Sequence, residues 1–310
     1  MAGREEKALE GLKIDALHKF LAKQFRRFTD TRDENQSITM QDALMSGYAV
    51  FSLKDPSLLQ FNNERTNREE NLKSIYKVNK APSDSGMRGI LDEVELKEMK
   101  KVYAGLGKKL RGAGILEAYS YISGHTAVSI DGVHHFSSEK INCCQCLECI
   151  KSNGKKEYRH SLLSAVIVHP DKKEVLPIAN EPIVKQDGNT KNDCETNAAK
   201  RLIPQVKKLL PKEKAAIVED ALSANGPHIR ELKKAGFRFV ISVKPDGNKY
   251  LFGLMERLEG LGKVNEQEQE EGRYIHRFRY VKSLPLNSDN RDIKVNFLDY
   301  RQVDKKGKER

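Results

Sequence analysis

Three short apolar runs within residues 127–244 set the architecture expected of this chain. They read, in order, Ala127-Val128-Ser129-Ile130, Ala215-Ala216-Ile217-Val218 and Phe237-Arg238-Phe239-Val240-Ile241-Ser242-Val243. Short runs that are rich in Val, Ile and Phe and are bounded by Gly, Pro or charged residues are typical of β-strands. We therefore expect a sheet that includes these three runs as strands.

Two of these runs end on an aspartate. The first is followed by Asp131-Gly132, and the second by Glu219-Asp220. In an open α/β sheet, ligands bind at the edge where the strands end, so Asp131 and Asp220 meet there if the strands are parallel neighbours. Their oxygen atoms suit Mg²⁺ or Mn²⁺. An aspartate after a strand is also a common turn former or helix N-cap, and this alternative stays open.

Charge indicates the class of partner. The chain has 310 residues, of which 32% are charged, and a formal net charge of +11. A basic excess of this size favours a polyanionic partner, most often nucleic acid, although a basic protein without such a partner remains the alternative. The length allows two or three domains.

The first residues and the cysteines indicate the compartment. The start, Met1-Ala2-Gly3-Arg4-Glu5-Glu6-Lys7, lacks the apolar core of a signal peptide. No apolar run approaches the length that spans a membrane. The chain has five cysteines, and an odd count without a signal peptide is typical of a reducing cytosol. We expect a cytoplasmic protein with no membrane partner.

The first third of the chain is expected to be helical. Residues 8–28 carry Leu and Phe at three- and four-residue steps, which predicts an amphipathic helix with a basic opposite face. Further helices are predicted near residues 40–53, 58–61, 71–76, 87–91 and 94–118. We predict a helical domain over residues 1–120. Its Arg and Lys residues suit DNA binding or pairing, and the same pattern suits any small helical bundle.

The segments between the three runs complete an α/β domain. Residues 158–169 and 174–184 predict the two strands of a hairpin, whereas residues 192–210 and 224–236 predict amphipathic helices. The resulting order is strand, hairpin, helix, strand, helix, strand, which is the order of the ribonuclease H-like fold. For residues 121–248 we therefore predict a ribonuclease H-like mixed sheet with flanking helices.

Several longer phrases carry a family resemblance. The sequence resembles the DDE transposases of bacterial insertion sequences, and the likeness covers nearly the whole chain. The phrases include Ser129-Ile130-Asp131-Gly132, Lys185-Gln186-Asp187-Gly188, Lys191-Asn192-Asp193-Cys194-Glu195, Val218-Glu219-Asp220-Ala221-Leu222-Ser223 and Pro227-His228-Ile229-Arg230-Glu231-Leu232, together with Asp42-Ala43-Leu44-Met45-Ser46-Gly47 and Pro56-Ser57-Leu58-Leu59-Gln60-Phe61 near the N-terminus.

The resemblance implies an activity and a site. It implies a ribonuclease H-like catalytic core, Mg²⁺ or Mn²⁺, and DNA strand cleavage and transfer of an insertion sequence, with the element ends and target DNA as partners near the nucleoid. Asp131 corresponds to the first catalytic aspartate of such enzymes, and Asp220 to the second. A homodimer is a further expectation that the sequence leaves open.

The third acidic residue of these enzymes is a Glu on a helix that follows a β-rich insertion. Residues 249–310 resemble that insertion, with strands expected at residues 274–280 and 295–300. Glu309 has no helical pattern around it, so we expect a chain truncated before the catalytic helix, with little or no strand transfer. The alternative is a non-catalytic DNA-binding fragment that pairs with or inhibits the intact enzyme. A metal-dependent nuclease without strand transfer is a third interpretation.

A cysteine cluster predicts a second site. Cys143, Cys146 and Cys149 follow one another at the CxxC step, which is a common spacing of zinc ligands. His160, or alternatively His134 or His135, is a candidate for a further ligand. A second well-spaced CxxC pair is absent from the sequence, so structural Zn²⁺ and free thiols in a loop both remain open.

Overall fold

The computed structural model describes residues 9–33, 35–185, 193–210 and 214–304. It divides into two compact units, one made of Met1–Thr126 with Ala165–Asn180, and the other of Ala127–Ser164 with Glu181–Arg310. Within the described residues, no helix is both long enough and apolar enough to cross a membrane.

Six helices lie in the first unit among its described residues. Their starts follow local capping: the side chains of Thr39, Ser57 and Ser83 accept backbone N–H groups in the first turns of the second, third and fifth helix. The helices are α1 (Ile14–Phe25), α2 (Met40–Ser52), α3 (Leu58–Glu64), α4 (Glu69–Ser74), α5 (Asp84–Asp92) and α6 (Leu96–Gly112). The predicted helical segments are therefore confirmed, although α1 is shorter than residues 8–28 and α6 is shorter than residues 94–118.

The helices of the first unit pack their apolar faces into one core. Met45, Phe61 and Met87 are fully buried at its centre. The buried ring of His18 stacks on Tyr76 and bonds through Nδ1 to the carbonyl oxygen of Ile75 at 2.9 Å. Because buried polar groups need partners, this contact satisfies the imidazole inside the core.

Seven strands of the described residues form the main sheet. They are β1 (Ser120–Ile122), β2 (His125–Ser138), β3 (Leu147–Ile150), β4 (Lys156–Val168), β5 (Leu176–Ile183), β6 (Ala215–Glu219) and β7 (Arg238–Ile241). The spatial order is β3-β4-β2-β6-β7, with β1 paired to β2 and β5 paired to β4. β3 and β4 are antiparallel, whereas β6 and β7 are parallel. The predicted α/β fold with a mixed sheet and flanking helices is confirmed at this level.

The first predicted strand is longer in the structure than the sequence predicts. The sequence predicts that this strand ends at Asp131, but β2 continues to Ser138. The burial along β2 changes at the predicted point: residues 125–128 are buried, and the strand becomes mostly exposed from Asp131 onward. Asp131 therefore lies inside a strand, at the place where that strand leaves the core, because pairing with a long neighbour continues after the apolar run has stopped.

Two helices connect the strands of the second unit. They are α7 (Glu195–Leu209), which precedes β6, and α8 (Gly226–Ala235), which lies between β6 and β7. The fully buried side chains of Leu202 and Val206 on α7 and Leu232 on α8 show why both sequences are amphipathic. Helix α8 ends at Gly236 with φ 78°, a left-handed conformation that glycine adopts without a steric penalty.

The segment predicted as a β-rich insertion begins with a helix. Residues Lys249–Gly260 form α9, and three antiparallel strands follow: β8 (Asn265–Glu271), β9 (Tyr274–Pro285) and β10 (Lys294–Asp304). Both strands predicted here are confirmed as parts of β9 and β10. The buried side chains of Leu251 and Met255 pack with Val281, Leu284 and Phe297, which explains why the apolar residues of α9 recur at helical spacing.

Candidate active site

Asp131 occupies an exposed position on β2. Its Oδ1 accepts a hydrogen bond from the backbone N–H of Gly132 at 2.8 Å. Strand β2 lies next to β6 in the sheet. The prediction that the strands of Asp131 and Asp220 are neighbours is therefore confirmed.

Asp220 follows directly after β6. Its Oδ1 accepts the backbone N–H of Leu222 at 2.9 Å and caps the short 3-10 turn Ala221–Ser223. The N-cap interpretation of this aspartate is thus confirmed for one carboxylate oxygen. Capping fixes the orientation of the side chain, so it is compatible with a further role for the carboxylate at the end of the strand.

A buried pair anchors the strand that leads into Asp220. Glu219 and His228 have side chains only 2% and 3% exposed, and Oε2 of the first lies 2.6 Å from Nε2 of the second. Helix α8 is itself capped by Asn225, whose side chain accepts the N–H of His228 at 3.0 Å. Since a buried carboxylate needs a partner, this pair ties β6 to α8 directly beside Asp220.

A third carboxylate joins these two, and the sequence analysis assigned it no role. Glu195 begins α7, and its side chain lies against the backbone of Gly132: a Cβ atom at that glycine would stand 2.0 Å from Oε1 of Glu195. Only glycine leaves room for this approach. A glycine directly after a candidate catalytic aspartate was the one available signal, and it does not reveal which side chain approaches.

The three carboxylates repel one another electrostatically. The pKa of Glu195 is raised, first by burial and then by repulsion from Asp220 and Asp131, while His134 acts in the opposite direction. His134 is held by a 2.5 Å contact between its Nδ1 and Oγ of Ser161 on β4. Asp131, Glu195 and Asp220, hereafter the carboxylate cluster, therefore concentrate negative charge at one place in the second unit.

An ion-pair network holds the beginning of α7. Arg201 reaches Glu181 through Nε and Asp193 through a terminal nitrogen, both at 2.7 Å. The two acidic side chains are almost fully buried, with exposed fractions of 4% and 2%. The backbone N–H of Asp193 also bonds to the carbonyl oxygen of Val184 at 3.3 Å. This network positions the turn from which Glu195 projects.

The carboxylate cluster is looser than a single coordination shell. Among the described residues, only one group of three or more acidic, His or Cys side chains has its ligand atoms all within 4.8 Å of one another, and it is Cys143, Cys146 and His160. The ligand atoms of the three carboxylates therefore do not all lie within this distance of one another. Residues 186–192, which include parts of two segments that carry the family resemblance, lie outside the described residues, and so does Glu309.

The cysteines separate into two places. Cys143 and Cys146 lie with His160, whereas Cys149 is on β3 opposite Glu157. Because side chains alternate across a strand, Cys149 shares a face with Glu157, and His160, three positions further along β4, points to the other face. His135 is close to His160, with ring centroids 5.9 Å apart.

We expect Glu195→Gln to raise stability when no divalent ion is bound. A raised carboxyl pKa means that the folded state carries a charge penalty, which is absent below the ordinary pKa of glutamate, grows from there up to the raised pKa and is constant above it. The gain should be about 0.5–1 kcal/mol at neutral pH and should shrink toward pH 4. Thermal unfolding of both proteins across this range measures it. An equal gain for Glu256→Gln, an exposed carboxylate on α9, would show that net charge alone is responsible.

A scan of the chain against protein-family models finds no match, and a search among curated proteins finds no significant relative.

Proposed function

We propose that this chain is a DDE-type transposase of an insertion sequence, which cleaves and transfers DNA strands with the aid of Mg²⁺ or Mn²⁺. The sequence predicts little or no strand transfer because the expected Glu helix is missing, and the proposal instead assigns the third carboxylate to Glu195. The observation that carries the proposal is the carboxylate cluster, in which Asp131 and Asp220 come from neighbouring strands and Glu195 reaches them from α7. Clusters of carboxylates hold the divalent ions with which nucleases and polymerases cleave or form phosphodiester bonds.

The arrangement of the sheet supports a ribonuclease H-like core. Strand β2 lies between β4, which pairs with β5, and β6, which pairs with β7. Helix α7 precedes β6 and helix α8 precedes β7. This is the order of strand, hairpin, helix, strand, helix, strand that the resemblance requires, and it puts the two aspartates on adjacent strands.

The donor set suits hard divalent ions. Carboxylate oxygens are the ligands that Mg²⁺ and Mn²⁺ prefer, and the mutual repulsion that raises the pKa of Glu195 is relieved when a cation neutralises the cluster. When bound, such ions activate the attacking hydroxyl and stabilise the leaving oxygen. Asp131 and Asp220 would hold the ions, and Glu195 would supply a third carboxylate from α7.

Surrounding residues would keep this donor set in place. Gly132 leaves the space that the Glu195 side chain occupies, and the capped turn after Asp220 orients that carboxylate. His134, which lowers the pKa of Glu195, would favour its charged form, which is the one that binds a cation. These contacts would fix the orientation and charge of the carboxylates before DNA binds.

A second candidate function is DNA binding without catalysis. It is favoured by the loose spacing of the three carboxylates, which do not form one close group of ligand atoms. In that case the basic chain, with its formal net charge of +11, would occupy DNA or pair with an active enzyme, and thereby inhibit strand transfer.

A cleavage assay separates the two candidates. The substrate is a supercoiled plasmid that carries the DNA flanking the gene of this chain, incubated with Mg²⁺, with Mn²⁺ or with EDTA. Nicking that requires Mg²⁺ or Mn²⁺ supports the transposase proposal. Binding in a mobility-shift assay without nicking under either ion supports the second candidate. A chain that neither binds nor nicks this DNA contradicts both.

DNA affinity should fall steeply with salt. Lysine and arginine side chains that neutralise phosphates release condensed counterions, so about four such contacts predict a loss of about 100-fold in affinity between 50 and 200 mM salt. Fluorescence anisotropy with a labelled duplex measures this slope. Affinity that stays constant over this range would show that phosphate contacts do not drive binding.

A further inference from the structure

Two thiols and one imidazole converge beside the end of β2. Sγ of Cys143 lies 3.7 Å from Sγ of Cys146 and 3.3 Å from Nε2 of His160. The ligand atoms of these three residues all lie within 4.8 Å of one another. The cluster is separate from Asp131, Glu195 and Asp220, and the proposed DNA chemistry does not use it.

The distances match the edges of a tetrahedral zinc site. Zinc lies about 2.3 Å from a thiolate sulfur and about 2.0–2.1 Å from an imidazole nitrogen. At tetrahedral angles these bonds place two sulfurs about 3.75 Å apart, and a sulfur and a nitrogen about 3.55 Å apart. The observed separations of 3.7 and 3.3 Å are close to both values.

Local backbone structure prepares the two cysteines. The backbone N–H of Cys146 bonds to the carbonyl oxygen of Cys143 at 3.2 Å, which closes a turn. The N–H of Cys143 in turn donates to Sγ of Cys146 at 3.3 Å, a contact that stabilises a thiolate. Both thiols are free, and their separation far exceeds the disulfide bond length of about 2.05 Å.

We propose that Cys143, Cys146 and His160 bind one Zn²⁺ ion. Thiolate and imidazole ligands select zinc over Mg²⁺ or Mn²⁺, which require oxygen ligands. Zinc needs a fourth ligand, and His135 lies beside His160 with its ring centroid 5.9 Å away. The ion would fasten the segment between β2 and β3 to β4, so its role is structural and does not depend on the proposed function.

Cys149 provides a matched internal control. It belongs to the same CxxCxxC phrase, but it lies on β3 opposite Glu157, on the face away from His160. The exposed Cys194 before α7 is a second control. A zinc site built on sequence spacing alone would include Cys149, whereas the site proposed from the structure excludes it.

The test is metal content of the full chain, purified without a metal-binding tag from zinc-containing medium. Elemental analysis should find about one zinc per chain in the wild type, Cys149→Ser and Cys194→Ser. Cys143→Ser, which changes an exposed thiol, and His160→Gln should each lose most of this zinc. Circular dichroism checks that the variants fold. Cobalt replacement of the wild-type ion should give the absorption of a tetrahedral cobalt–thiolate centre.

Two results would overturn the proposal. The first is a folded wild type that contains no zinc and gives no cobalt–thiolate absorption, whether its thiols are free or joined in a disulfide. The second is a Cys149→Ser variant that folds and loses its zinc as fully as Cys143→Ser does, because this would place the ligands on the opposite face of the sheet.

Discussion

Asp131→Asn and Asp220→Asn should each lower metal-dependent DNA nicking by about 10³-fold or more, which corresponds to about 4 kcal/mol of transition-state stabilisation. An amide cannot supply the negative charge that holds a divalent ion against a phosphodiester. The substitution is nearly isosteric, and Asn remains a good cap residue, so the turn that follows Asp220 should persist. Single-turnover nicking with Mn²⁺ measures the effect.

The control for these variants is Glu256→Gln, which also removes one negative charge but from an exposed position on α9. It should retain wild-type nicking and DNA affinity. Both Asn variants should keep the wild-type unfolding midpoint or exceed it slightly without metal, because each removes repulsion from the carboxylate cluster. Nicking that survives in Asp220→Asn would contradict the proposed site.

Arg201→Ala should destabilise the fold beside the site. The guanidinium pairs with Glu181 and Asp193, whose side chains are almost fully buried. The Arg201 side chain is 41% exposed and Gln205 also donates to Glu181, so solvent and this second partner compensate part of the loss. We expect a decrease of about 1–2 kcal/mol in the free energy of unfolding. Urea unfolding followed by circular dichroism measures this loss.

The neighbouring Lys200→Ala provides the comparison for Arg201→Ala. Lys200 is exposed on the same helix, so its replacement should change stability by no more than about 0.5 kcal/mol. Because the network holds the turn before Glu195, Arg201→Ala should also weaken Mn²⁺ binding in the fraction that remains folded. Equal stability of the two variants would show that the network does not support α7.

Periodicity and composition were enough to predict most elements of this chain. Short apolar runs bounded by Gly, Pro or charged residues predicted β2, β4 and β6, and apolar residues at helical spacing predicted α1, α7 and α8, because both patterns reflect which residues are buried. The caps at the starts of α2 and α5, Thr39 and Ser83, are equally local, since each side chain accepts a backbone N–H within the first turn of its own helix. The sequence likewise shows that an aspartate follows the apolar run of β2 and that of β6, whereas the adjacency of these two strands is known from the sheet.

The sequence did not predict which residues that are distant along the chain meet in the fold. Nothing in the spacing of residues indicates that Glu195 packs over Gly132, because they are distant in sequence and meet only when α7 docks on the sheet. The continuation of β2 past Asp131 depends on pairing with its neighbour rather than on its own residues. The helical state of Lys249–Gly260 depends on the apolar face that it packs against β9 and β10.

The cysteines of residues 143–149 illustrate both what the sequence determines and what only the fold determines. The CxxC spacing of Cys143 and Cys146 indicates metal ligation, because a tight turn brings two such thiols together whatever the rest of the fold. Choosing His160 among the candidate histidines and separating Cys149 required the pairing of β3 with β4, since strand register assigns each side chain to one face of the sheet. The sequence thus indicates which neighbouring residues can act together. Which distant residues complete a site depends on the strands and helices that pack side by side in the fold.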